Sequence, residues 1–287
     1  GADTLMELKK WREYGCVLRL TKFLVCPRSS RYTADELSQE RDRLTMLGGD
    51  IRWLDMDTLD VSSTDVRQAI AAGQAAPHLS PVVQEYAEVC GLYGASPRIP
   101  QARAWLEKLF AALSAKRFAH TLGVAATARR LALIHGLDAD RAEAAGLLHD
   151  CAKCLPLSQM QKAAKEVSVD PVMRESKALM HSVAGMCLAE SVYGVTDPQV
   201  LSAIRWHTPG HGEMTELEKI IYLADMIEPN RKPFDGLQQL RELCMTDLDA
   251  AMHSALRMSL EHVRTQGKTL HPDTLAALNA YEPQPEG

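Results

Sequence analysis

The sequence lacks the features that mark membrane, secreted and nucleic-acid-binding proteins. No apolar run approaches the roughly 20 residues that span a bilayer, and no signal peptide is recognisable. The net charge is -5, so there is no basic field for nucleic acid. The seven cysteines are odd in number and scattered, which argues against a disulfide framework. These absences predict a cytoplasmic protein with neither a membrane nor a nucleic-acid partner.

Aromatic residues are also scarce, at 5% of 287 residues, whereas alanine, leucine and methionine are abundant. Such a composition favours helices packed on helices. Hydrophobic residues make up 46% and charged residues 24%, as is typical of globular proteins. The length allows two ordinary domains or one large one.

Residues 1–94 have the pattern of an α/β region. Short apolar runs at 23–26 and 51–54 are bounded by turn-forming residues and predict strands. Thr33 is followed by early acidic residues and predicts a helix start. A second helix is expected from Ser62 to about Gly73. Glycine, serine and two prolines cluster next, so residues 95–102 are predicted to be a linker.

Residues 103–282 are predicted to form an all-α domain, followed by a frayed tail at 283–287. Apolar residues recur at helical spacing almost throughout, and no strand-like alternation of useful length is present. Helices are expected at about 101–115, 118–135, 138–148, 157–167, 179–193, 197–206, 215–228, 236–243 and 246–266.

Histidine and aspartate residues in this region carry the chemical signal. An adjacent His-Asp pair ends an apolar helix, and Asp225 lies within the apolar run 220–227. A carboxylate in such a run is costly to bury unless a cation or several donors meet it. Imidazole and carboxylate ligands together suit Fe, Mn, Co or Zn better than Mg or Ca. The candidate residues, in chain order, are His120, His149, Asp150, His181, His207 and Asp225.

Other histidines and cysteines have plainer interpretations. A histidine outside this order is expected to be an ordinary core or surface residue, which applies to five of them. An isolated C-x-x-C at Cys151 and Cys154 leaves a redox or zinc role open, but no second pair or thioredoxin-like setting accompanies it. The five histidines are His78, His135, His211, His253 and His262.

The order of these residues resembles the HD superfamily of metal-dependent phosphohydrolases. Within that superfamily, the sequence is most similar to the bacterial symmetrical bis(5'-nucleosyl)-tetraphosphatases, the YqeK family, from about Leu113 to Tyr281. The segments that carry the resemblance are 116–124 (KRFAHTLGV), 146–153 (GLLHDCAK), 181–182 (HS), 204–208 (IRWHT) and 222–231 (YLADMIEPNR). Cys151 and Pro209 depart from the family's usual residues, but neither is a ligand position.

The resemblance implies a role for each of these residues. His120, His149, Asp150 and Asp225 would hold iron or a similar divalent metal, as one or two ions, and Asp150 and Lys153 would be catalytic. His181 and His207 would face the phosphates or complete a second metal position. Without the resemblance, Lys153 and Arg231 could equally be a solvated lysine and a loop arginine. The remaining substrate-binding residues implied are Arg117, Arg231, Thr269, His271 and Thr274.

The N-terminal region resembles the second half of nicotinate-nucleotide adenylyltransferases, the NadD family, which implies a partial, Rossmann-like α/β half-domain. The resemblance is carried by residues 1–5 (GADTL), Trp11, 23–28 (FLVCPR) and 62–67 (SSTDVR). It implies a phosphate site at a helix N-terminus formed by Ser62, Ser63, Thr64 and Arg67, with Trp11 near the pyridine ring. A plain capped helix and a core tryptophan are the alternatives. The H-x-G-H loop of that family is not found, so the chain is interpreted as part of a longer bacterial fusion protein.

The leading hypothesis is symmetrical hydrolysis of diadenosine tetraphosphate to two ADP by a metal-activated water. Another HD-type nucleotide phosphohydrolase would share the fold and metal and differ in its products. A non-catalytic nucleotide-binding module would keep the pocket without turnover. A fragment of a bifunctional protein with nicotinate-nucleotide adenylyltransferase activity is a further alternative. A homodimer is compatible with each of these hypotheses.

Overall fold

The computed structural model describes residues 1–26, 32–55, 61–76, 78–267 and 270–282. These residues divide into two compact units, Gly1–Asp65 and Val66–Gly287. The tail at 283–287 and Thr269 lie outside the described residues.

The first unit contains a small parallel sheet of two strands. Strands β1 (Lys22–Val25) and β2 (Asp50–Trp53) pair in parallel, with Lys22 opposite Asp50 and Val25 opposite Trp53. The predicted strands and the helix between them are therefore present, and they form a β-α-β arrangement. The helices of this unit are α1 (Ala2–Glu7), α2 (Tyr14–Leu20) and α3 (Ala34–Met46).

The start of α3 follows from a local sequence signal. The Thr33 hydroxyl accepts a hydrogen bond from the backbone N–H of Glu36, and the Glu36 carboxylate accepts one from the Thr33 N–H. This capping box satisfies two backbone donors that the helix itself leaves unpaired. A small apolar core of Leu5, Leu8, Leu18, Val25 and Leu44 lies in this unit.

Helix α4 (Ser63–Ala71) crosses the division, and the second unit is otherwise all helical where the structure describes it. The expected helices of the C-terminal region are present, most of them within two residues of the predicted ends. Five α-helices were not predicted, namely α1, α2 and the three at 81–89, 171–175 and 272–280. The remaining helices are α5 (Pro81–Val89), α6 (Ala102–Ala112), α7 (Ala115–Ile134), α8 (Ala139–Leu148), α9 (Leu157–Ala163), α10 (Pro171–Glu175), α11 (Lys177–Ser191), α12 (Pro198–Trp206), α13 (Glu216–Ile227), α14 (Leu237–Leu243), α15 (Leu248–Thr265) and α16 (Pro272–Ala280).

Helices α7 and α8 form the most extensive packing in this unit. Gly146 permits their close approach, because a Cβ added there would lie 2.8 Å from the Cα of Ala125. Helices α12 and α13 pack on α8, and α13 also packs on α7. The core between them is large and apolar. This arrangement places the end of α8 among three other helices.

The compact units divide earlier than the sequence-based boundary at 95–102. Helix α5 packs on α7, and Ile99 and Ala102 are buried in the helical core. Arg98 forms ion pairs with Glu85 at 3.1 Å and with Glu143 at 3.1 Å. Ile99 and Ala102 are thus packed against the helical core, and the assignment of 95–102 as a linker stays a prediction. The assignment of 1–94 to one domain by family resemblance stays a prediction.

None of the helices that the structure describes has the length and apolar character needed to cross a membrane.

Candidate metal centre

Five helices of the second unit deliver the candidate residues to one place. His120 lies in α7, while His149 and Asp150 directly follow the end of α8. His181 lies in α11, His207 directly follows α12, and Asp225 lies in the last turn of α13. All of the histidines and Asp150 are buried. The structure therefore brings together all six residues that the sequence singled out.

Three of the histidines are oriented by hydrogen bonds from Nδ1. His149 Nδ1 lies 2.7 Å from the carbonyl of Gly146, and His207 Nδ1 lies 2.7 Å from the carbonyl of Ile204. A carbonyl oxygen only accepts, so Nδ1 carries the proton and Nε2 keeps a free lone pair. His120 Nδ1 instead lies 3.0 Å from Oε1 of Glu228.

The first candidate metal position is defined by His120, His149, Asp150 and Asp225. His120 Nε2 lies 3.0 Å from Asp225 Oδ1 and 3.9 Å from Asp150 Oδ2. His149 Nε2 lies 3.6 Å from Asp150 Oδ2 and 3.9 Å from Asp225 Oδ1. Ligands held about 2.1 Å from one ion are themselves about 3 to 4 Å apart. The four side chains are therefore spaced to hold a single ion.

Unpaired buried atoms support this fit. His120 Nε2, His149 Nε2 and Asp150 Oδ1 are buried and make no hydrogen bond within the described part of the chain. Buried polar atoms are almost always paired, and a missing partner is costly. Imidazole nitrogen and carboxylate oxygen are suitable donors for a borderline divalent cation. The residues present fit a divalent metal ion.

A second set of donors shares Asp150. Asp150 Oδ1 lies 3.2 Å from His181 Nε2 and 3.7 Å from His207 Nε2. The two histidine Nε2 atoms lie 3.0 Å apart. Lys153 Nζ lies 2.9 Å from His181 Nε2 and 3.4 Å from Asp150 Oδ1, so it borders this position. The arrangement could hold a second ion or a phosphate oxygen.

Two arginines form ion pairs with the two aspartates of the centre. Arg117 Nη1 lies 2.8 Å from Asp150 Oδ2, and Arg231 Nη2 lies 2.6 Å from Asp225 Oδ1. Both arginine side chains are about one third exposed, at 37% and 35%. They are cations placed between the buried carboxylates and solvent.

Burial and charge shift the protonation of these groups. Burial lowers the pKa of His149 to about 3 and that of His181 to about 4, which keeps both imidazoles neutral. Burial also acts to lower the pKa of His120, but the adjacent carboxylates of Asp225 and Glu228 outweigh burial and raise that pKa to about 8. Burial would raise the pKa of Asp150 and Asp225, yet the surrounding histidines and cations hold both well below the usual range.

The other predicted site residues have contacts of a different kind. His271 caps α16 and lies 2.7 Å from Asp170, while Thr274 is buried in the first turn of that helix. Trp11 is 47% exposed, so the alternative that it is a core residue was wrong. The Ser62 hydroxyl accepts from the N–H of Asp65 at the start of α4. Ser63, Thr64 and Arg67 lie on that helix.

Sequence reasoning missed Glu228, the carboxylate that contacts His120. The Glu228 side chain is 2% exposed. The available signal was an acidic residue directly after the apolar run 220–227, the same argument that had singled out Asp225. Of the five histidines given structural roles, His135 Nε2 contacts the carbonyl of Cys244 and His211 Nε2 contacts Glu218.

Comparison with known proteins identifies the class and then the family. The HD domain family matches residues 117–230. The symmetrical bis(5'-nucleosyl)-tetraphosphatase of Halalkalibacterium halodurans is 38% identical over 168 residues, 58% of this chain and 89% of that protein. A probable nicotinate-nucleotide adenylyltransferase/Ap4A hydrolase of Mycoplasma pneumoniae is 31% identical over 274 residues, 93% of this chain and 71% of that protein.

A solved structure agrees with these matches. The crystal structure of a predicted HD superfamily hydrolase involved in NAD metabolism from Clostridium acetobutylicum superposes with a TM-score of 0.60 at 38% identity. The match covers 62% of this chain and 95% of that one. The chain belongs to the HD-domain family of symmetrical bis(5'-nucleosyl)-tetraphosphatases.

Proposed function

We propose that the chain hydrolyses diadenosine tetraphosphate symmetrically to two ADP. The observation that carries the proposal is the buried cluster of His120, His149 and Asp150, whose donor atoms are close enough to hold one ion, with Asp225 beside it. The activity named for the Halalkalibacterium halodurans relative supports the choice of substrate. The alternative of another HD-type nucleotide phosphohydrolase differs in products, not in the site.

His120, His149, Asp150 and Asp225 would hold the divalent ion, with Fe favoured over Mn, Co and Zn. His181 and His207 would complete a second position with Asp150, or bind a phosphate oxygen. A bound divalent ion lowers the pKa of its water toward neutrality and offsets charge on the phosphoryl group. The neutral state of His149 and the ionised state of both aspartates suit them to bind a cation.

Cations of the chain itself would position the polyphosphate. Lys153 reaches both His181 and Asp150, so an oxygen of a phosphate bound there would lie within its reach. Arg117 and Arg231 would pair with further phosphate oxygens, and their partial exposure leaves them accessible from solvent. Asp150 contacts both donor sets and would orient the attacking water.

The outer parts of the site and the N-terminal region complete the proposal. Thr269, His271 and Thr274 would close over the nucleotide. Ser62, Ser63, Thr64, Arg67 and Trp11 would be the nucleotide-binding remnant of an adenylyltransferase, in line with the Mycoplasma pneumoniae relative's name. A homodimer stays a prediction that a mass measurement in solution would check. A cytoplasmic location also stays a prediction.

Product analysis tests the reaction. Purified protein is loaded anaerobically with Fe²⁺, and in parallel with Mn²⁺ or Co²⁺, and incubated with diadenosine tetraphosphate. We expect ADP as the sole product, with turnover lost in His149→Ala and Asp225→Ala. His135→Ala is the matched control, because this α7-terminal histidine contacts a backbone carbonyl outside the centre. ATP plus AMP would contradict symmetrical cleavage, and no turnover with any metal would contradict the substrate.

A further inference from the structure

His120 differs from the other inward-facing histidines in the group that orients it. His149 and His207 donate Nδ1–H to carbonyls of their own helices, three residues earlier in the chain. His120 Nδ1 instead meets the Glu228 carboxylate, 108 positions along the chain. The orientation of the His120 ring therefore depends on the position of the segment that follows α13. A carboxylate partner fixes the tautomer of a metal-binding imidazole and raises its basicity.

The Glu228 carboxylate is held by both of its oxygens. Oε1 lies 3.0 Å from His120 Nδ1, and Oε2 accepts from the backbone N–H of Asn230 at 2.6 Å. Arg241 donates to the carbonyls of Ile227 and Glu228 at 3.0 and 3.1 Å, which anchors the backbone at this point. A carboxylate is needed here, because a glutamine has one acceptor oxygen for two donors.

Gly123 provides the space for this carboxylate. A Cβ added at Gly123 would lie 2.5 Å from Glu228 Oε2 and 3.1 Å from Asn230 Nδ2. Glycine is otherwise unfavourable within a helix such as α7. Its presence one turn after His120 is explained by the need to admit a side chain from the segment that follows α13.

We propose that Glu228 is a positioning residue that aims His120 Nε2 at the metal position, and that Gly123 is required for it to do so. The inference rests on the proposed metal site. Among the described residues, the Glu228 carboxylate pairs only with His120 and the backbone N–H of Asn230. The backbone N–H of Arg231, a candidate phosphate-binding residue, donates to the Glu228 carbonyl at 3.0 Å, a bond that does not involve the carboxylate. The effect of Glu228 should therefore be seen in metal affinity before any substrate is added.

Co²⁺ binding to the metal-free protein tests this at one fixed pH, with both affinity and visible absorption spectrum recorded. We expect Glu228→Ala to weaken Co²⁺ binding about 10- to 100-fold and to change the spectrum. Glu228→Gln should lose less, because one of the two hydrogen bonds remains. Glu218→Ala is the matched control: Glu218 is a buried glutamate at the other end of α13, bound to Thr215 and Ser202, and its loss should leave Co²⁺ affinity unchanged.

Gly123→Ala provides a test that does not depend on whether Glu228→Ala folds, and the double variant then asks whether the two substitutions act through the same carboxylate. Gly123→Ala should weaken Co²⁺ binding by a similar factor, although residue 123 contacts no ligand atom itself. In the Glu228→Ala background, the same substitution should have no further effect, because the displaced carboxylate is already gone. Unchanged affinity in Glu228→Ala, or an effect of Gly123→Ala that persists in the double variant, would overturn the proposal. Wild-type protein that binds Co²⁺ but leaves diadenosine tetraphosphate intact would contradict the proposed function alone.

Discussion

Individual side chains at the centre are specialised by the partner that each one has. His149 and His181 are deeply buried, and burial keeps both neutral, whereas His120 lies between two carboxylates that raise its pKa to about 8. Lys153 is 28% exposed and stands between the buried histidines and solvent. Metal binding and phosphate binding are therefore expected to depend on different residues.

Lys153→Ala should separate these two roles. The lysine is not a metal ligand, so metal content and Co²⁺ affinity should remain within about twofold of wild type. The loss of one preorganised donor to the phosphoryl oxygen should lower kcat by about 10²-fold. Kinetics with diadenosine tetraphosphate and metal analysis of the same sample check both parts. Lys162→Ala, an exposed lysine on α9, is the control; equal kcat in the two variants would contradict the role.

Metal binding should depend on pH through His120. Its pKa is raised from 6.5 to about 8, so a proton competes with the ion at neutral pH. Co²⁺ affinity should rise about tenfold per pH unit below pH 8 and level off above it. The same shift stabilises the metal-free fold fully below about pH 6.5, and this stability is lost as pH rises through 8. Affinity measured from pH 6 to 9 checks the prediction, and a flat profile would contradict it.

The proposed ligand set could be predicted from the sequence, whereas the residues that position it, Glu228 and Gly123, could not. Adjacent His-Asp residues at a helix end and a carboxylate in an apolar run are local signals, and the structure brings them together as expected. Glu228 and Gly123 lie more than one hundred positions apart in sequence, and their relation depends on how α7 and α13 pack. Hydrophobic periodicity indicates a helix but does not show which other helices pack against it.

Helix crossings determine how precisely the ligands meet. Gly146 lies three residues before His149, and its hydrogen faces the backbone of Ala125 on α7. Helix α7 also carries His120, so the α7–α8 separation sets the distance between two of the proposed ligands, His120 and His149. Because the clash at Gly146 is with backbone atoms, the helices themselves must move apart when a side chain is added.

Gly146→Ala should therefore affect folding and metal binding together. We expect a loss of about 1–3 kcal/mol in the free energy of unfolding, as is typical of overpacking, and weaker Co²⁺ binding. Denaturant unfolding and Co²⁺ titration provide the two measurements. Gly15→Ala is the matched control, since its added Cβ would meet only the Arg19 guanidinium at 3.8 Å. A free energy of unfolding equal to that of the wild type in Gly146→Ala would contradict the prediction, because it would mean that α7 and α8 can move apart without loss of stability.

Elements were predicted well where a single helix carried its own signal. The long amphipathic helices and the capping box at Thr33 are examples. Helices α10 and α16 were missed: each begins at a proline after a polar cap and is short, so periodicity over so few residues is weak. Helix α5, which also begins at a proline after a polar residue, was missed for the same reason.

At the scale of the whole molecule, α5 and Arg98 join residues 66–100 to the helical domain. Glu143 on α8 is fully buried, with Arg98 and Arg129 as its cationic partners at 3.1 and 3.0 Å. Arg98 also binds Glu85 and Glu88 of α5. A composition-based boundary could not show this, because prolines and glycine near residue 97 are typical of linkers even when the segment is packed.

Two truncated proteins, which begin at residues 61 and 101, test where the stable helical domain starts. Residues 61–287 keep α4 whole together with Arg98, and should hydrolyse diadenosine tetraphosphate with the kcat/KM of the full chain. Residues 101–287 lose Arg98, which leaves Glu143 with one cation, and they expose the surface that α5 covers. Removing one partner of a buried ion pair costs about 3–5 kcal/mol, so this protein should unfold at a clearly lower temperature. Thermal unfolding and hydrolysis assays of both proteins check the prediction. Equal unfolding temperatures would mean that the functional domain begins after the 95–102 segment, and that α5 packs against it without contributing to its stability.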